Sequence, residues 1–378
     1  MIYYLGYYKS RYIDDYANSG SNAASFKMGY VIRAIKNLGR PITVVSWCPS
    51  DKMGKIPLRE IQVDALQKEV YLPSVRVNKM PMRFTAWFRN RDVYRYLICH
   101  VKKEDTLIVY HASTVANAVL KAKKKIGFKL ILEVEEIYYV DTQIKKIKKI
   151  KKQEESLLNA ADSYIIVNDL IYDKYINNGK PHMVLYGVYD APQFDFQELA
   201  QRDSIQVLFS GSIDKVRGAE LAIETAKYLP KNYQVYISGS GAPTFVTDIV
   251  NRIQAHNNSG VGCEIVYQGC LEESALDALA LRCDIGLNLQ SVDNPFEAVS
   301  YPSKITFYLL HGLNVVSTKM SSVMASSLNK YVSFTEYDAQ HVAETIQNVM
   351  MRKKQENASV MYELHRQAQK DLERLLDL

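Results

Sequence analysis

Twice along the chain, short apolar runs of strand length alternate with longer runs of helical periodicity. Met1–Gly6, Ile42–Ser46, Thr106–Tyr110, Lys129–Val134 and Ser163–Val167 read as strands, and Ala23–Leu38, Thr114–Lys125 and Lys145–Ala160 as helices. The pattern restarts with strand Gln206–Gly211, helix Ala219–Leu229, strand Gln234–Ser238, helix Thr244–His256 and strand Glu264–Gln268. Helix Glu273–Arg282, strand Ile285–Leu289 and strand Asn314–Ser317 follow. Strands that alternate with helices form parallel sheets, because each crossover needs a helix and each helix covers a sheet face. With 378 residues the chain is too long for one ordinary core. The expectation is therefore two doubly wound α/β domains.

The first helix has Phe26, Tyr30, Ile32 and Ile35 among its apolar positions. In the second half Leu221, Thr225 and Leu229 share a face. A long last helix, about Ala339 to Leu376, carries Val342, Ile346, Val349 and Met350. Residues 50–100 break the rhythm with Pro57, Pro73, Pro81 and the aromatic and basic cluster Arg83–Arg91. They read as an irregular insertion lining a cleft, or as a covering loop with a helix. The Gly- and Pro-punctuated segment Tyr186–Pro192 marks the domain boundary.

A hydrophobic fraction of 47% with 23% charged residues describes a folded chain. No apolar run approaches the ~18 residues that cross a bilayer, and the start lacks a secretory layout. Cys48, Cys99, Cys263, Cys270 and Cys283 are odd in number and scattered, so disulfides are not expected and a cytoplasmic setting is. Residues 1–185 hold 31 Lys and Arg against 18 Asp and Glu; the remainder hold 16 against 23. A basic first half and an acidic second half suggest separate tasks.

The most specific segment is Ser300–Ser317. Pro302 opens a helix, Gly312 closes it, and a strand follows at once. The first amides, at Ser303 and Lys304, then face an anion, and Lys304 adds a full charge. That is a diphosphate seat at the mouth of a parallel sheet.

These pieces resemble a GT-B glycosyltransferase, and more narrowly glycosyltransferase family four and the bacterial polysaccharide transferases near it. Ala161–Asn168, Tyr186-Gly187-Val188-Tyr189, Phe209-Ser210-Gly211-Ser212 through Arg217-Gly218, Ile237–Gly241 and Tyr301-Pro302-Ser303-Lys304 with Gly312 and Val315-Val316 carry the likeness, in the family's order. It is clear from about 160 to 320 and weak before 130. The resemblance implies two Rossmann-like domains facing a central cleft. The first, residues 1–187, would bind the acceptor, and the second, 188–359, the nucleotide sugar. The C-terminal helix, about 360–378, would pack back on the first. It implies transfer of a sugar, with retention, to a glycan or lipid-linked acceptor in bacterial surface polysaccharide assembly. A catalytically inactive partner subunit of the same architecture is the alternative, and a sugar-nucleotide epimerase a third reading.

On this resemblance the donor is held by Gly20, Ser21, Gly211, Ser212, Arg217, Gly239, Ser240, Tyr301, Pro302, Ser303 and Lys304. No metal or resident cofactor is expected, since fixed cations and helix amides stabilise the leaving diphosphate. Two departures stand out. Ser212 replaces the family's Arg, and Phe307 replaces the Glu that holds the donor ribose, leaving Glu297 or a backbone group to substitute. Glu135 and Glu136, just past a strand, and His111 are the acceptor-side candidates, with Glu135, Lys304 and Arg217 expected to be catalytic. The run Lys145–Lys152 sets six lysines around Ile144, Ile147 and Ile150. It reads either as a surface for anionic lipid or as a core-facing stripe with a solvated side. No nucleic-acid module is recognisable.

Overall fold

A computed structural model describes residues 1–10, 12–13, 22–47, 54–76, 82–110, 113–143, 147–190, 194, 196 and 203–377. It comprises two compact units, Met1–Val188 with Arg366–Leu378, and Tyr189–His365.

The first unit runs β1 (Ile2–Gly6), α1 (Asn22–Asn37), β2 (Ile42–Ser46), β3 (Gly54–Ile56), β4 (Arg59–Gln62), β5 (Gln67–Tyr71), β6 (Ser74–Arg76) and α2 (Met82–His100). It continues through β7 (Thr106–Tyr110), α3 (Ala116–Ile126), β8 (Lys129–Val134), α4 (Ile147–Ala160), β9 (Ser163–Ile166), α5 (Asp169–Ile171) and β10 (His182–Val184). Its main sheet has the order β10-β9-β8-β7-β1-β2-β5-β4. Only the edge strand β4 is antiparallel, paired with β5. The central strands are apolar on both faces, as a sheet covered by helices requires: Leu107, Ile108, Leu130 and Ile131 are fully buried.

The second unit holds β11 (Ile205–Ser210), α6 (Ala219–Ala226), β12 (Tyr233–Ser238), α7 (Pro243–Ser259), β13 (Glu264–Gly269), α8 (Glu273–Arg282) and β14 (Ile285–Asn288). Then come α9 (Ser303–Leu310), β15 (Asn314–Thr318), α10 (Ser321–Met324), β16 (Val332–Thr335) and α11 (Ala339–Asn348). Its sheet is wholly parallel, in the order β13-β12-β11-β14-β15-β16. The chain runs outward from β11 in one direction and then, from β14, in the other. Such an order leaves a crevice beyond the carboxyl ends of β11 and β14, where open α/β sheets take ligands. In the first unit the same reversal lies between β1 and β7. The core of the second unit gathers Val207, Phe209, Ile223, Ile237, Ile285 and Leu287.

The last helix, α12 (Lys354–Asp377), is shared. Its start belongs to the second unit, where Lys354 donates to the Leu281 carbonyl at 3.0 Å. Its end belongs to the first, where Asp377 pairs with Arg40.

Most sequence-based elements appear within a residue or two, but four differ. The single long C-terminal helix is two, α11 and α12, with the chain between them turned so that the Arg352 amide reaches the Asn314 Oδ1 at 3.0 Å. Val342 and Ile346 are buried, but Met350 falls past the end of α11 and is 73% exposed. Residues 50–100 are not irregular where they are described: β3 to β6 fill the first part, and the Arg83–Arg91 cluster lies within α2. In α1 the apolar stripe is phased differently, since Phe26 is 53% exposed whereas Lys27 is buried. The short strands β10 and β16 have no expected counterpart, because three or four residues carry too little periodicity to read.

Candidate active site

At the carboxyl end of β11 the chain enters Gly211 and Ser212, both exposed, and then a tight turn. The Asp214 carboxylate closes that turn by accepting the amides of Val216 and Arg217, each at 2.9 Å. Such a turn is what a short acid does when it sits two and three residues before free amides. It fixes the backbone of Arg217, whose Nη1 donates to the Gln290 Oε1, just beyond β14, at 3.3 Å. The Arg217 Nε is 3.9 Å from the Asp214 Oδ2, too far for a hydrogen bond, and has no other partner among the described residues.

The neighbouring turn, after β12, is pressed against the first. Ile213 and Gly241 pair as an isolated parallel bridge, and the Ile213 amide donates to the Ser240 carbonyl at 2.8 Å. Gly239 is where this contact demands glycine. Its φ is 157°, and a Cβ there would come within 1.8 Å of the Gly211 carbonyl oxygen. The Gly-Ser-Gly segment therefore builds the wall of the crevice.

Helix α9 supplies the third side. It starts at Ser303, with Pro302 at the cap position rather than inside the first turn, and no side chain caps it. Tyr308 holds the helix in place. Its hydroxyl accepts from the Ser210 amide at 2.9 Å and lies 3.2 Å from both the Ser210 Oγ and the Leu287 carbonyl oxygen. The ring fits because Gly286 lacks a side chain: a Cβ there would fall 2.3 Å from the Tyr308 Cγ. One turn earlier, Lys304 is set over the end of β11. Its Nζ stands 4.2 Å from the centre of the Phe209 ring and is fully buried with no hydrogen-bond acceptor among the described residues. A Cβ on Gly211 would be 3.4 Å from that Nζ. Burial first, and then the Arg217 charge, push the Lys304 ammonium down to about 7, against the pull of Asp214. Among the described residues, Arg217 and Asp214 are the charged groups that act on Lys304 at the sheet's reversal point.

Of the other donor-side candidates, Ser303 is exposed at the helix start and Ser240 at the β12 turn. Tyr301 has a buried ring, and its hydroxyl lies 3.4 Å from the Ser326 Oγ. Phe307 packs against His311, ring centres 4.2 Å apart, and the His311 Nε2 in turn meets the Asp277 Oδ1 at 2.9 Å. Burial lowers the His311 pKa. Glu297 accepts the amide of Ser321 and so is committed to the start of α10.

The first unit gathers a second cluster at its strand ends. Glu135 lies just past β8, and its Oε1 is 3.2 Å from the Nζ of Lys27. Lys27 also donates to the Leu185 carbonyl at 2.5 Å. Glu133, fully buried, accepts the hydroxyl of Tyr4. Glu136 is half-buried beside them. Gly20, Ser21, His111, Lys145 and Lys146 lie outside the described residues. Within α4 the isoleucines Ile147 and Ile150 are half-buried and lead to the buried Leu157 and Leu158, whereas Lys148, Lys149, Lys151 and Lys152 are exposed. The apolar stripe thus faces the unit's own packing. No helix among the described residues is long and apolar enough to cross a membrane.

Tyr308, Asp214, Gln290, Lys27 and Tyr4 were not marked by the sequence reading. Lys27 had a legible signal, because it stands with Tyr30, Val31 and Ala34 on the stripe that faces the core.

The architecture is the GT-B fold. HepE of Anabaena, in complex with UDP, superimposes with a TM-score of 0.66 at 12% identity, over 99% of each chain. Sucrose-phosphate synthase of Thermosynechococcus elongatus gives 0.65 at 13% identity, over 99% of this chain and 94% of its own. An α,α-trehalose-phosphate synthase of Burkholderia xenovorans, in complex with glucose 6-phosphate, gives 0.64 at 10% identity, over 100% and 98%. No family model and no curated protein sequence matches the chain.

Proposed function

We propose that this chain is a glycosyltransferase that moves a sugar from a nucleoside diphosphate sugar to a hydroxyl-bearing acceptor. The observation that carries the reading is the pairing of Lys304 and Arg217 beside a single carboxylate, at the reversal point of the second sheet. A buried ammonium with no acceptor is costly unless an anion completes it. A diphosphate does so, and it gains most as negative charge builds on the leaving group. The amides of Ser303 and Lys304 at the start of α9 add fixed donors of the same sign. The solved neighbours support the reading, since they include HepE in complex with UDP and with UDP and glucose.

On this reading the second unit holds the donor, and the two cations, with the helix start, take the charge that a metal ion would otherwise take. The first unit holds the acceptor through Glu135 and Glu136. Retention at the transferred carbon, and a glycan or lipid-linked acceptor in surface polysaccharide assembly, are the finer form of the proposal. The exposed lysine face of α4 would then meet an anionic membrane surface.

Calorimetry with UDP, GDP and TDP, followed by transfer and hydrolysis assays on the corresponding sugars, tests it. One nucleotide is expected to bind and to be weakened by Lys304→Ala. Failure of all three to bind would overturn the proposal.

A further inference from the structure

Glu133 lies near the end of β8 and Glu135 just past it, and the two carboxyls are close enough to interact directly. Glu133 stands in register with Tyr110 of β7. Its Oε2 accepts from Tyr4, and its Oε1 has no donor among the described residues. The Glu135 Oε1 is buried and faces Lys27. The groups facing the pair are Tyr4 from β1, Lys27 from α1, Tyr110 from β7, and Glu136 and Tyr138 beyond the strand. Among the described residues Lys27 is the one cation facing the pair. Two carboxylates against one ammonium would leave an uncompensated charge on a fully buried group, which a carboxyl avoids by keeping its proton. Burial and then the Glu135 charge push the Glu133 carboxyl up to about 8, with Lys27 and Tyr4 pulling the other way.

We propose that Glu133 is a positioning residue: it keeps a proton, donates it to the Glu135 carboxylate, and so holds Glu135, with Lys27, as a singly charged receptor for a hydroxyl of the acceptor. This rests on the transferase reading above. The acceptor class it implies is a polyol or sugar with a free hydroxyl. The buried pair supplies the hydrogen-bond direction, and Glu135 supplies the contact.

Isotope-edited infrared titration of the full chain, with labelled glutamate, tests the proton directly and needs no substrate. Wild type should show a protonated buried carboxyl at neutral pH that ionises on the alkaline side, and Glu133→Gln should lack it. The absence of that signal in wild type overturns the proposal whatever the enzyme does. Kinetics then test the role. Glu133→Gln, whose amide still donates, should keep the acceptor KM within about threefold. Glu133→Leu, which cannot donate, should raise it about tenfold or more with nucleotide affinity unchanged. Equal KM values for the two variants would also overturn it. If the signal is present but no donor is ever turned over, the transferase reading fails, and the acceptor role fails with it.

Discussion

At the strand ends of the first unit two carboxyls face one ammonium; at those of the second, two cations face one carboxylate. Both clusters sit on parallel sheets, near the point where strand order reverses. In each, one buried group cannot keep an unanswered charge: Glu133 in the first and the Lys304 ammonium in the second, where Arg217 and Asp214 are 43% and 45% exposed. The first closes its deficit from within, because a carboxyl can bind a proton. The second can do so only through Lys304, which releases a proton where an Arg guanidinium does not. On the proposed reading an incoming anion reverses that release, so the first cluster's proton stays put and the second's moves with the ligand.

The largest test of this contrast is Lys304→Ala. It should lower nucleoside diphosphate affinity at least tenfold, by about 1.5–3 kcal/mol for a charged hydrogen bond. The Glu133 titration should be unmoved. A loss in both would show that the clusters are not independent.

The second test uses pH. Between about 7 and its ordinary value of 10.5, the folded Lys304 has lost a proton that the unfolded chain keeps. Its contribution to stability therefore rises with pH across that window. Anion binding restores the proton, so nucleotide affinity should fall above pH 7, by at most about one decade per pH unit. Calorimetry in buffers of different ionisation heat should register proton uptake. For Glu133 the folded value, about 8, lies above the ordinary 4.5, so its contribution to stability falls as pH rises between the two. Opposite slopes from the two units are the signature of the comparison.

The smallest test is Tyr308→Phe. It strips the Ser210 amide of its buried acceptor and should cost about 1–3 kcal/mol in denaturant unfolding. Donor affinity should drop only as far as α9 shifts Lys304.

Much of this was legible from the residues in order. The strand and helix alternation placed nearly every element, because apolar runs of strand length between helical stretches permit few other folds. Lys304 was legible because proline and glycine punctuate its helix. Tyr308 was not, since an aromatic residue four positions on reads as core. Only the structure shows its hydroxyl bridging α9, β11 and β14. The Glu133–Lys27 relation was hidden for a different reason. It joins β8 to α1 across the fold, and naming Phe26 among the apolar positions of α1 did not set the helix phase that buries Lys27 and exposes Phe26. Phe307 was visible as a departure from the family pattern. Its company, a histidine committed to Asp277, was not.

The helix α12 carries a consequence for the order of synthesis. A ribosome delivers every strand of the first unit's sheet before any of the second, yet residues 366–377 belong to that first unit. Until they emerge, Arg40 lacks Asp377, and Lys129 lacks the Leu375 carbonyl to which it donates. The first unit is therefore begun before the second and finished after it, and a nascent chain must hold these groups unpaired while the second unit is still being translated.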